Sequence, residues 1–166
     1  AMVFVMFVFG VNQGMQPIAG YNFGAKLYGR VNKVLRLTII YATAVTTFGF
    51  LVGMLVPDLV VGIFTSDAEL TELSVTGLRI TVMFFPIIGF QMVTSNFFQS
   101  IGMAGKAIFL SLTRQMLILL PCLLVLPQFF GVAGVWYSMP VSDLLASLIA
   151  LVMLVCQFRK FRTSPL

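Results

Sequence analysis

The sequence predicts an all-α protein, a polytopic bundle of five membrane-spanning helices that forms a single transmembrane domain over residues 1–166. Hydrophobic residues make up 60% of the chain and charged residues only 9%, and the mean hydropathy is +1.06. A soluble domain carries about 25% charged residues, so this composition excludes a soluble or disordered protein. The hydrophobic residues fall into five runs near or above the ~20 residues with which a helix crosses the hydrocarbon core. In lipid such runs are expected to be helical, because the backbone must satisfy its own hydrogen bonds.

The first span covers residues 1–25 and begins inside an apolar run. It has no charged leader and no cleavage site, which argues against a signal peptide, and we expect the chain to be cut from a longer protein. Its second half is rich in amides, and Gln13 and Gln16 share one helix face. Such polar groups either line a cavity or tie neighbouring helices together.

The second span covers residues 34–56 and the third covers residues 73–99. Between them Pro57 is expected to end a helix, and the apolar piece LVVGIF is expected to lie at the membrane interface. Ser66 and Glu69 have the spacing of a capping box, which predicts a helix start near Asp67.

The fourth and fifth spans cover residues 104–126 and 131–158, and each contains one charge. Arg114 is expected to extend toward the headgroups. Asp143 is either a functional carboxylate or a fixed hydrogen-bond partner that braces the bend at Pro140 or pairs with Ser142.

The distribution of charge predicts the orientation of the spans. Basic residues cluster between spans one and two, after span three and after span five, whereas acidic residues cluster between spans two and three. The positive-inside rule places the basic side, including the C-terminus, in the cytoplasm. The net charge of +5 is therefore attributed to membrane topology, and no nucleic acid partner is expected.

Four spans contain an internal proline, which removes a backbone hydrogen bond and bends a helix. These residues are Pro17, Pro86, Pro121 and Pro140. Three glycine pairs with four-residue spacing are expected to allow close helix packing. These pairs are Gly10 and Gly14, Gly20 and Gly24, and Gly49 and Gly53.

The sequence lacks the residues that enzymes and metal sites require. It contains no histidine, no phosphate-binding loop and only two cysteines, Cys122 and Cys156. No paired carboxylates and no nucleophile beside a base are recognisable, so neither an enzyme nor a metal site is expected.

One segment near the N-terminus, QGMQPIAGYNFGAK at 13–26, resembles the end of the eighth helix of the MATE (multidrug and toxic compound extrusion) transporters. Further segments follow in the order of that family: VPDLVVGIFTSD at 56–67, FFQSIGMAGKA at 97–107, RQMLILLPCLLVLPQFFGVAGVW at 114–136 and MPVSDLL at 139–145. The resemblance covers nearly the whole chain.

The resemblance implies a protein of two six-helix lobes that exports organic cations or amphipathic drugs by antiport with Na⁺ or H⁺. The chain would correspond to helices eight to twelve, an incomplete C-terminal lobe in the inner membrane, with its C-terminus cytoplasmic. Its expected partners are membrane lipid, small-molecule drugs and the missing N-terminal lobe. No cofactor is expected beyond the coupling ion, whose identity stays open because span three lacks the acid that some members carry on the tenth helix.

Two alternatives remain, a lipid-linked oligosaccharide flippase of the same superfamily and a non-transporting membrane subunit. For a transporter, the amides near the bends, with aromatic surface beside them, suit an adaptable cavity with few fixed charges. The candidate substrate-binding residues are Gln13, Gln16, Tyr21, Asn22, Phe90, Gln91, Asn96 and Asp143.

Overall fold

The computed structural model describes residues 2–65 and 67–163, apart from the side chains at 68, 69, 162 and 163. Within these ranges the chain is helical and contains no strand. The helices are α1 (Met2–Gly24), α2 (Tyr28–Leu55), α3 (Pro57–Gly62), α4 (Ala68–Val82), α5 (Phe85–Ser100), α6 (Ala104–Leu112), a π-helical stretch (Thr113–Leu119), α7 (Leu120–Phe130) and α8 (Val132–Thr163).

The helices confirm the prediction of five membrane spans, with one of them bent. The helices α1, α2 and α8 and the continuous segment Ala104–Phe130 are each long and apolar enough to cross a membrane. The helices α4 and α5 pass the same test as a pair that is bent by 48°.

The third span is not the continuous helix expected over residues 73–99. Helix α4 ends at Val82, and α5 begins at Phe85 with Pro86 in its first turn. Proline has no N–H to donate to the carbonyl four residues earlier, and its ring clashes with that carbonyl. The predicted bend at Pro86 is therefore a complete break, whereas α1 and α8 continue as single helices through Pro17 and Pro140.

Several helix ends lie beyond the predicted spans. Helix α2 begins at Tyr28 rather than near residue 34, and α8 continues to Thr163. These extra turns carry basic residues. A span boundary drawn from hydropathy leaves such residues out, whereas the helix itself continues into the membrane interface. Helix α7 also extends to Phe130, so the expected loop before span five is a tight turn at Gly131, whose φ is 58°.

The fourth span contains a π-helical stretch that the sequence analysis did not predict. Within it the N–H of Leu120 bonds to the carbonyl oxygen of Gln115, five residues earlier. Pro121 follows immediately and cannot donate a hydrogen bond of its own. The wider turn accommodates this missing donor, and Arg114 lies within the stretch.

The segment between spans two and three forms a short helix and a capped helix start. Pro57 is the first residue of α3, as its missing N–H allows. Helix α4 begins at Ala68, close to the predicted start, and the Asp67 carboxylate accepts a hydrogen bond from the N–H of Leu70 at 3.3 Å. Ser66 lies outside the described residues, so the proposed capping box stays a prediction.

Helix α5 is the centre of the packing, since it contacts α1, α2, α6 and α8. The side chains of Phe97 and Phe98 on α5 are fully buried. Two glycines allow close approach to this helix. A Cβ atom at Gly20 would lie 2.9 Å from the carbonyl oxygen of Ser100, and one at Gly89 would lie 2.9 Å from that of Ala42.

The predicted role of the glycine pairs is confirmed only in part. A Cβ at Gly49 would meet the ring of Phe4, and one at Gly53 would meet Val82. Gly10, Gly14 and Gly24 have nothing within 4 Å of the position that a Cβ would take. Among the described residues, Gly10 and Gly14 therefore make no close helix contact.

The basic connections meet at one end of the bundle. The rings of Tyr28 and Phe161 stack with their centroids 5.0 Å apart, which joins the α1–α2 connection to the end of α8. The ammonium group of Lys106, at the start of α6, donates a hydrogen bond to the side chain of Gln157 on α8. We call this the basic end, and the opposite end, which includes α3 and the start of α4, the acidic end.

Candidate functional site

Helix α5 carries the polar side chains that build the candidate site. Gln91 is buried with 4% of its surface exposed, and Asn96 lies five residues further along the same helix. The Asn96 amide donates to the carbonyl oxygen of Met92 at 2.9 Å and accepts a hydrogen bond from Gln16 at 3.3 Å. The amides of α1 and α5 are thus joined directly.

A polar cavity of about 230 Å³ lies between α1, α5 and the start of the π-helical stretch. Most of its lining residues carry amide or hydroxyl groups, and the guanidinium group of Arg114 joins them. We call it the polar cavity, and its lining residues are Phe9, Gln91, Met92, Ser95, Asn96, Gln99, Ser111, Arg114 and Gln115.

A second cavity of about 320 Å³ lies beside the break between α4 and α5. It is more apolar and contains one carboxylate. We call it the apolar cavity, and its lining residues are Val5, Phe9, Thr81, Phe85, Ile88, Met92, Arg114, Leu119, Met139, Ser142 and Asp143. Phe9, Met92 and Arg114 line both cavities, so the two are neighbours that share a wall.

Arg114 and Asp143 form an ion pair at this shared wall. The Nε of Arg114 donates to the Oδ1 of Asp143 at 2.7 Å, and the two side chains are 31% and 6% exposed. The expectation that Arg114 extends to the headgroups is therefore wrong, because a buried carboxylate within reach is a stronger partner than lipid. The carboxylate of Asp143 thus pairs with Arg114 rather than with Ser142 or the bend at Pro140.

The structure brings together half of the residues predicted to contact substrate. Gln91 and Asn96 line the polar cavity, Gln16 bonds to Asn96, and Asp143 lines the apolar cavity. Their contact with a substrate stays a prediction.

The other predicted residues lie elsewhere. Gln13 is exposed, and Tyr21 is 78% exposed on the outer side of α1. Asn22 is buried and donates to the carbonyl oxygen of Ile18 at 2.7 Å. Phe90 packs against the main hydrophobic core. A helix of 3.6 residues per turn spreads consecutive polar residues over several faces, so a polar run does not make one site.

Sequence reasoning did not identify Arg114, Ser95, Ser111 or Gln115 as residues that line the polar cavity. A detectable signal existed for Arg114, since two opposite charges within membrane spans are expected to pair with each other. The serines give no such signal, because a hydroxyl in a helix usually bonds to its own backbone.

The comparisons with known proteins agree with this architecture. A model of the MatE family matches residues 1–125. The multidrug export protein MepA of Staphylococcus aureus (strain MSSA476) is 24% identical over 146 residues, which cover 88% of this chain and 32% of that protein. MepA of Staphylococcus saprophyticus is 20% identical over 146 residues. The chain spans about a third of the length of these relatives.

Solved structures match the same fold. The MATE multidrug transporter DinF-BH, solved as a complex, has a TM-score of 0.90 and 36% identity, covering 98% of this chain and 36% of that one. An inward-facing MATE family transporter of the MOP superfamily has a TM-score of 0.90 at 19% identity, covering 99% and 39%. At 19% identity, this second match is evidence for the fold only. Since the family model covers most of its residues, this chain belongs to the MATE family of membrane transporters.

Proposed function

We propose that this chain is the C-terminal part of a secondary active multidrug transporter that exports organic cations or amphipathic drugs in exchange for Na⁺ or H⁺. The observation that carries the proposal is the ion pair between two cavities inside the membrane-spanning bundle. Charged groups within a membrane are costly and mark substrate or ion pathways. The chain's membership of a family whose matched relatives are multidrug exporters supports this assignment.

The composition of the apolar cavity supports an organic cation as substrate. The rings of Phe9 and Phe85 offer faces that attract cations. The thioethers of Met92 and Met139 are flexible and polarisable, which suits ligands of different shapes. An entering cation would compete with Arg114 for the carboxylate of Asp143. The proposed process is transport rather than catalysis, so no covalent step is needed.

The chain is proposed to act as an incomplete lobe with the remainder of its protein as partner. It spans about a third of its relatives, and large hydrophobic side chains along α1 are exposed, among them Met2 at 80% and Met6 at 69%. These surfaces would face lipid or the missing lobe. Alternating access then arises from two bundles that rock around the central site.

Gradient-driven dye transport tests the proposed function. The full-length protein is reconstituted in liposomes, and movement of a fluorescent rhodamine dye that is an organic cation is followed under an imposed Na⁺ or H⁺ gradient. We expect dye movement against one of these gradients, and an ionophore that collapses that gradient should abolish it. Asp143→Asn should slow this transport, because it removes the carboxylate from the apolar cavity.

The matched control is Asp58→Asn, which makes the same change at an exposed carboxylate on α3, outside both cavities. Its transport should equal that of the unsubstituted protein at equal amounts in the membrane. Absence of dye movement under both gradients would contradict the proposed function, and equal rates for both variants would remove Asp143 from it.

A further inference from the structure

The guanidinium group of Arg114 is only partly used by its ion pair. A guanidinium carries several N–H donors arranged as a rigid fork. Asp143 accepts a hydrogen bond from Nε alone, at 2.7 Å. Among the residues that the structure describes, the side chain of Arg114 makes no other hydrogen bond or ion pair. The N–H groups on Nη1 and Nη2 therefore remain available.

The polar cavity offers these donors to an anion. Arg114 lines this cavity, whereas Asp143 lines only the apolar cavity on its other side. None of the described residues around the polar cavity is acidic. The hydroxyls of Ser95 and Ser111 lie 3.3 Å apart in the same wall. Ser95 can donate its proton either to the carbonyl oxygen of Ala107 at 3.4 Å or to Ser111, and in the second arrangement the proton of Ser111 is free to turn toward a ligand.

The difference in exposure decides which member of the pair a ligand can reach. The side chain of Arg114 is 31% exposed and that of Asp143 only 6%. A ligand in the polar cavity therefore meets the guanidinium first, with the carboxylate behind it. Since Asp143 already holds Nε, the remaining edge of the fork is fixed in position before a ligand arrives.

We propose that the polar cavity binds the carboxylate group of a small amphipathic acid or zwitterion, with Nη1 and Nη2 of Arg114 as its donors. A planar carboxylate matches the fork of a guanidinium, which binds it through parallel hydrogen bonds. The volume of about 230 Å³ has room for a carboxylate with one ring attached. This inference rests on the proposed function and assigns the residue that would hold a carboxylate group of its substrates.

Binding of benzoate and benzamide tests this proposal without any transport step. The two probes share a ring and nearly the same size, but only benzoate is an anion. Both are titrated by calorimetry against the purified full-length protein in nanodiscs of zwitterionic lipid. We expect benzoate to bind at least about tenfold more tightly, because hydrogen bonds to a charged group are the stronger ones.

A double variant, Arg114→Gln with Asp143→Asn, removes both charges and so leaves no buried charge unpaired. Benzoate affinity should fall at least about tenfold, to the level of benzamide, whose own affinity should not change. The matched control is Arg79→Gln with Asp58→Asn, which makes the same substitutions at positions on α4 and α3, outside both cavities. This control should bind benzoate as the unsubstituted protein does.

If the double variant does not fold, Arg114→Lys replaces it, since lysine keeps the positive charge but offers no fork. Benzoate affinity should then fall while benzamide affinity stays. Equal affinities of the two probes for the unsubstituted protein, or unchanged benzoate binding in the variants, would overturn the proposal. Displacement of benzoate by phosphatidylglycerol added to the nanodiscs would overturn the assignment to a small-molecule acid. Failure of dye transport with intact benzoate selectivity would count against the proposed function only.

Discussion

Arg114 and Asp143 differ in how strongly the loss of one side chain would destabilise the charge of the other. Burial of a charge is expensive, and removal of one partner of a buried pair leaves the other charge uncompensated, at a cost of about 3–5 kcal/mol. The side chain of Asp143 is only 6% exposed, whereas that of Arg114 is 31% exposed. The carboxylate therefore depends more strongly on its partner, because much less of its side chain is exposed than that of the guanidinium.

This difference in exposure predicts that the two single substitutions of a double-mutant cycle cost different amounts of stability. Arg114→Gln should destabilise the full-length protein by about 3 kcal/mol, the low end of that range because Arg114 is partly exposed, and Asp143→Asn should cost less. The double variant should be more stable than the sum of the two single effects predicts, since it leaves no unpaired charge. Denaturation of the purified protein in detergent measures all four forms. Additive effects would show that the two side chains do not interact, and a larger loss for Asp143→Asn would contradict the assigned burial.

At the scale of helices, the close contact between α2 and α5 depends on the absence of a side chain at Gly89. A Cβ atom at Gly89 would lie 2.7 Å from the hydroxyl of Thr46 and 2.9 Å from the carbonyl oxygen of Ala42. The hydroxyl of Thr46 also donates to the carbonyl oxygen of Ala42, so the opposing surface is held in place. Real Cβ atoms do not approach backbone oxygen so closely, and the helices would have to separate.

Gly89→Ala should therefore destabilise the protein by about 1–3 kcal/mol, the usual cost of overpacking. Gly14→Ala is the matched control in α1, because nothing lies within 4 Å of its Cβ position. Alanine has the higher helix propensity, so this control should be neutral or gain up to about 1 kcal/mol. Thermal unfolding of both variants measures the difference. A stable Gly89→Ala protein would show that α2 and α5 are less closely packed.

The helices also show what a single sequence can predict. Hydrophobic run length locates all five spans, and the chemistry of Pro86 predicts the bend in the third, because both effects are local. The π-helical stretch lies directly before Pro121, but the same residue type at Pro17 and Pro140 leaves a continuous α-helix, so the presence of a proline does not predict it. The amides of α1 also separate in the structure. Gln16 reaches Asn96 while Gln13 is exposed, and only the rotation of α1 against α5 decides between them.

At the scale of the whole molecule, the two ends of the bundle differ in charge. Contacts between Tyr28 and Phe161, and between Lys106 and Gln157, bring three basic segments to one end. Asp58 and Asp67 lie at the opposite end. Because loops rich in lysine and arginine are retained in the cytoplasm, we predict that the basic end, with the end of α8, is cytoplasmic.

Cysteine labelling of intact cells tests this orientation. Cys122 and Cys156 are first replaced by serine, and single cysteines are then placed at two positions, Gly29 at the basic end and Asp58 at the acidic end. A membrane-impermeant maleimide should label Asp58→Cys in intact cells and Gly29→Cys only after permeabilisation, because only the acidic end faces outward. The protein without cysteine gives the background. Labelling of Gly29→Cys but not Asp58→Cys in intact cells would reverse the orientation.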